Sequence, residues 1–194
     1  MSRQHMLAAF TALIGCVLTV ACSRELRTQS DVAQWKIEHG LTTSKTVGPV
    51  QVTASVLLAG EPAVPTADEA SVDVTHVLLT YSPADTASRV DVMFRNLDSY
   101  QGYVERLFTL ALSGGDAVSI IADGRKYTSV GAEMMYDVGL SPHKRVIATI
   151  PVSKELLASA QEATIVIRDQ AFTKSVIALP IDGSALRSVP EIRL

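Results

Sequence analysis

From Val50 onward, apolar residues recur at every second position, as in Val90, Val92 and Phe94 against Asp91, Met93 and Arg95. This period of two constrains the fold more than any other feature of the chain. A strand points successive side chains to opposite faces, so such a run buries one face and wets the other. Segments of this kind, or short apolar runs bounded by turn residues, lie at 50–58, 72–78, 90–95, 103–112, 117–122, 126–134, 146–150, 164–167 and 172–179. Ser113-Gly114-Gly115-Asp116, Asp123-Gly124 and Asp169-Gln170 separate some of them and predict hairpin connections. Asp123-Gly124 is the strongest of these, because both residue types tolerate the positive φ of a type I′ turn. Residues 61–70, with Pro62 and Pro65, read as a polar loop.

Two segments break the pattern. Ser30 offers an N-cap to residues 31–39 and Gly40 a stop, which predicts a short helix. Ser153 caps a second, in which Leu156, Leu157 and Ala160 share a face. The expectation is a mainly β, β-sandwich-like pair of antiparallel sheets with one or two short helices; the alternative is a smaller sheet covered by helices. At 194 residues and 47% hydrophobic content, the chain has enough apolar material for one core, assigned to residues 30–194.

The first residues have a different character. Arg3 and His5 precede an uncharged stretch from Met6 to Ala21, shorter than a membrane span, that ends abruptly at Cys22-Ser23-Arg24-Glu25. A positive start, an apolar middle and a small-residue end predict a cleaved signal peptide at residues 1–21. Leu18-Thr19-Val20-Ala21-Cys22 resembles the lipobox of bacterial lipoproteins, although Thr19 stands where Leu is usual. The resemblance implies diacylglycerol on Cys22, with residues 22–29 as a polar tether. It also implies a membrane anchor in the cell envelope, and Ser23 fits delivery to the outer membrane with the domain facing the periplasm. Cys16, in Leu13-Ile14-Gly15-Cys16, is a second candidate for lipidation. It would leave an apolar terminus and a truncated leader, so Cys22 is preferred. The chain has two cysteines, so with Cys22 acylated and Cys16 discarded no internal disulfide or cysteine metal site is expected.

Loss of the leader removes Arg3, leaving 16 of 17 basic residues against 20 acidic ones, a net charge of −4. With no basic run and only 5% aromatic residues, the domain lacks both the phosphate-neutralising patch and the stacking platform that nucleic-acid binding requires. No nucleophile elbow or phosphate-binding glycine loop is present in the sequence, and His39, His76 and His143 do not stand at spacings that would place two imidazoles on one metal. His76 reads as a hydrogen-bonded strand residue on the face of Val72, Val74 and Leu78. His143, Lys144 and Arg145 read as a solvated turn. Asp68, Glu69 and Asp73 are a weak cation candidate, and Glu133 and Asp137 a weak acid–base pair. No catalytic, metal or cofactor site is therefore assigned. The expected role is a non-catalytic one: binding another envelope protein. Carriage of a small ligand or lipid is the alternative, and an enzyme site assembled from Asp73, His76 and Glu133 a third reading.

Overall fold

The structure is a computed structural model and describes residues 25–62, 73–112, 117–135 and 141–194. Cys16, Cys22, Asp68, Glu69, Asp137 and the turn at 113–116 lie outside the described residues. Among the described residues, nine strands form two antiparallel sheets: β1 (Thr42–Val47), β2 (Val50–Val56), β3 (Thr75–Pro83), β7 (Lys144–Ile150) and β6 (Gly131–Met134) in one, and β5 (Arg125–Thr128), β4 (Val118–Ala122), β8 (Ala163–Asp169) and β9 (Ser175–Ile181) in the other. The chain is mainly β and sandwich-like, as the alternation predicts. Among the described residues there are three α-helices: α1 (Gln29–Glu38), α2 (Tyr100–Leu112) and α3 (Lys154–Ser159).

Alternate residues meet between the sheets. Val52, Ala54 and Val56 of β2 and Val77, Leu79 and Tyr81 of β3 face Ile120, Ile165, Ile167, Ile177 and Leu179 of the second sheet, all buried. The Asp123-Gly124 turn has φ of 46° and 77° and closes β4 onto β5, as its residue types demand. Ser153 caps α3 by accepting the Leu156 N–H at 3.1 Å. Helix α1 is capped by Thr28 and not by Ser30: Asp31 N–H donates to Thr28 Oγ1 and Thr28 N–H donates back to Asp31 Oδ2, a reciprocal capping box.

Several expectations are overturned. Residues 103–112 are not a strand but part of α2, and 90–95 carry a 3-10 turn (Val92–Phe94) capped by Asp91. The predicted strand at 126–134 breaks at Ser129 and Val130, whose N–H groups donate to Val118 of one sheet and Thr149 of the other. One run of chain thus serves both sheets as β5 and β6. In β3 the inter-sheet face is Thr75, Val77, Leu79 and Tyr81, so His76 and Leu78 lie on the outer face, opposite to the expected phase. Part of the expected tether also belongs to the domain. Leu26 is fully buried and pairs with Ile192 in a parallel bridge, with Leu26 N–H donating to Glu191 and Arg193 N–H to Leu26.

Candidate functional site

The sequence-derived candidates remain apart. His76 is buried, with Nδ1 3.2 Å from Thr149 Oγ1, the hydrogen-bonded role expected of it. Glu133 shares its sheet face, but β7 lies between, with Thr149 opposite His76 and Ile147 opposite Glu133. Two strand spacings and a two-residue offset separate them by about 12 Å. Asp73 stands exposed just ahead of β3. His143 Nδ1 meets Ser82 Oγ at 3.0 Å, and Lys144 pairs with Asp91 at 2.9 Å, so the basic run is divided among separate partners. His39 stacks on Trp35 with ring centroids 4.3 Å apart. Among the described residues, no group of three metal-ligating side chains comes together, and no helix is long and apolar enough to cross a membrane.

Two other features stand out, and both depend on helices. Phe94, Tyr100, Tyr103 and Phe108 account for four of the ten aromatic residues in the chain. Phe94 stacks on Tyr103 with centroids 4.7 Å apart, and Tyr100 on Tyr103 at 6.0 Å. Yet Tyr100 is 78% exposed, Phe108 58% and Phe94 53%. Tyr100, Val104 and Phe108 are four residues apart, so they form one stripe along α2. Exposed aromatic area concentrated in this way is characteristic of a binding surface.

The platform beneath the stripe is fixed by Arg106. Its Nε donates to Ala171 O at 3.0 Å and its Nη1 to Met93 O at 2.9 Å and Arg95 O at 2.8 Å. The guanidinium lies 5.2 Å from the Phe172 ring centre, and Phe172 packs on Tyr81. Burial lowers the Arg106 pKa, and the Asp169 charge opposes that shift. Buried Asp169 holds the β8–β9 turn by accepting N–H groups from Ala171, Phe172 and Thr173 at 3.0, 3.2 and 2.7 Å. Burial, with a smaller contribution from Asp169, pushes the Tyr81 phenol well above its ordinary range. A neutral phenol and a carboxylate committed to backbone donors hold the turn and α2 in place.

The second feature is a cleft of about 370 Å³ between α1 and the outer face of the five-stranded sheet. One wall is a helical stripe, Gln29, Val32, Ala33, Lys36 and Ile37, spaced as one face of α1 demands. The other is a row across three strands: Thr42 on β1 faces Ser55 on β2, which faces Leu78 on β3. Lys36 and Glu61 form an ion pair in this wall at 2.9 Å, with only 6% and 14% of their side chains exposed. Glu61 also accepts the Leu58 N–H at 2.8 Å. Nearby, burial lowers the Lys154 pKa while Glu61 and Glu155 oppose the shift.

Neither feature was identified in the sequence. The helical stripe was visible as an i, i+3, i+4 pattern, but the opposing row exists only once β1 is paired. No family model matches this chain, and no curated protein or solved structure matches it.

Proposed function

We propose that this chain is a lipid-anchored envelope protein, acylated on Cys22, that binds another envelope protein through the aromatic face of α2. The aromatic face carries this reading. Phe94 and Tyr103 sit where β3 ends and β7 begins, as the Val92 N–H bond to Pro142 O and the Lys144–Asp91 pair require. Leu26 sits at the other pole: its partner Ile192 packs against Gly60, just beyond β2 and before β3. An anchored domain would therefore present its aromatic surface away from its own bilayer, where another protein is the available partner. Tyr and Phe supply large contact area at small entropic cost, which suits such a surface.

The test is a photo-crosslinking residue at position 100 of the full chain in its native envelope, followed by mass spectrometry. The expected result is one specific crosslinked protein and a diacylglyceryl mass on Cys22. An unmodified Cys22 would remove the anchor from this reading. Crosslinking only to lipid, or to no protein at all, would remove the partner.

A further inference from the structure

We infer that the cleft beneath α1 is a binding site for a single straight-chain carboxylate, a free fatty acid of medium length. Its volume of about 370 Å³ has room for roughly a dozen water-sized groups at about 30 Å³ each. A ten-carbon acid has about that many non-hydrogen atoms; a diacyl lipid has far more. Val32, Ile37, Leu57 and Leu78 supply apolar walls along the path of such a chain.

The polar groups of the lining select the head. Both Glu61 oxygens lie 2.9 Å from the Lys36 ammonium, and Glu61 takes the Leu58 N–H as well, so the carboxylate in the wall is already well supplied with donors. An ammonium has three N–H bonds, of which this pairing engages two. Thr42 Oγ1 and Ser55 Oγ are 2.7 Å apart, with one hydroxyl hydrogen between them. The other remains available to a ligand. Gln29 adds an amide at the same stripe. Among the described side chains of the lining, Lys36 and Arg145 against Glu61 leave one positive charge in excess, which favours a carboxylate head over an alkylammonium. The buried ion pair also acquires a purpose, because such pairs contribute little net stability for their desolvation.

The experiment uses the full chain in nanodiscs and a decanoate bearing a diazirine. Irradiation and peptide mapping should place the label on peptides containing Ile37, Leu57 or Leu78. Excess decanoate should suppress labelling, with decylammonium about tenfold weaker as a competitor. Ala33→Phe, an exposed helix position that fills the mouth, should reduce labelling about tenfold without lowering the melting temperature. Ile37→Glu, which sets a carboxylate at the same mouth, should do likewise. Labelling spread along the chain, or unchanged in both variants, would overturn the site. Equal competition by decylammonium would overturn the carboxylate. Cleft labelling by a diazirine phospholipid of the nanodisc in a parallel arm would overturn the free acid as the ligand.

Discussion

Lys36 and Glu61 show how a single residue can be essential to folding without contributing much to it. Moving both charges out of water costs nearly what their attraction returns, whereas removing one partner strands the other. Lys36→Met should therefore destabilise the domain by about 3–5 kcal/mol in chemical denaturation. Lys36→Met with Glu61→Leu should cost only about 1 kcal/mol, largely the lost bond from the Leu58 N–H. A double variant as unstable as the single one would mean that the pair organises the wall by more than mutual neutralisation. Tyr81 gives a second test, in pH. Its folded-state pKa lies above the ordinary 10.0 through burial and, secondarily, Asp169. Below that value the phenol is protonated in both states and its contribution is complete. Above it the unfolded chain releases the proton while the folded one keeps it, so stability falls as pH rises, by up to about 1.4 kcal/mol per pH unit. Tyr81→Phe should flatten this alkaline decline, measured as the difference between urea midpoints across pH 9 to 11, a window chosen around the tyrosine range.

Among the elements, those with one dry and one wet face were legible in the sequence. Alternation and short apolar runs bounded by turn residues located β2, β4, β7 and β8. This signal failed at β1, whose Thr42-Thr43-Ser44-Lys45-Thr46-Val47 carries almost no apolar pattern and is ordered by its pairing with β2. It misled at α2, where Tyr103, Val104, Leu107 and Phe108 suit a strand as well as a helix. Distant groups decide: Arg106 reaches carbonyls at Met93, Arg95 and Ala171, and no local pattern encodes those bonds. The aromatic surface was lost with α2, since a strand at 103–112 leaves out Tyr100, which only the helix sets in one stripe with Val104 and Phe108. Helix α3 shows the same dependence on distant packing. The 3-10 turn Gly183–Ser188 lies against it so closely that a Cβ on Gly183 would collide with the Leu157 carbonyl oxygen. Gly183→Ala should cost about 1–3 kcal/mol in thermal or chemical unfolding. A neutral substitution would show that α3 can move outward freely.

For the whole molecule, the decisive quantity is the separation of its two poles. Four residue steps lead from Cys22 to Leu26, which the bridge to Ile192 fixes in the domain. At about 3.5 Å per step, an acylated Cys22 would hold Leu26 within about 14 Å of the bilayer surface. From that pole β3 runs nine residues to the other, about 30 Å at 3.3 Å per residue. The geometry predicts that a fluorophore at position 100 of the lipidated protein on vesicles escapes a quencher carried on the lipid headgroups. One at position 29, three residues beyond Leu26, should be quenched. Tyr100 is exposed at an α-helix surface, so replacing it with a labelled cysteine should change stability by no more than about 0.5 kcal/mol. Strong quenching at both positions would mean that the domain lies on its side with α2 against the lipid. The aromatic stripe would then be a membrane-contact surface, since tyrosine rings favour the headgroup layer. Protection at position 100 together with quenching at position 29 would leave the stripe facing outward, free to meet a protein that no part of the bilayer can replace.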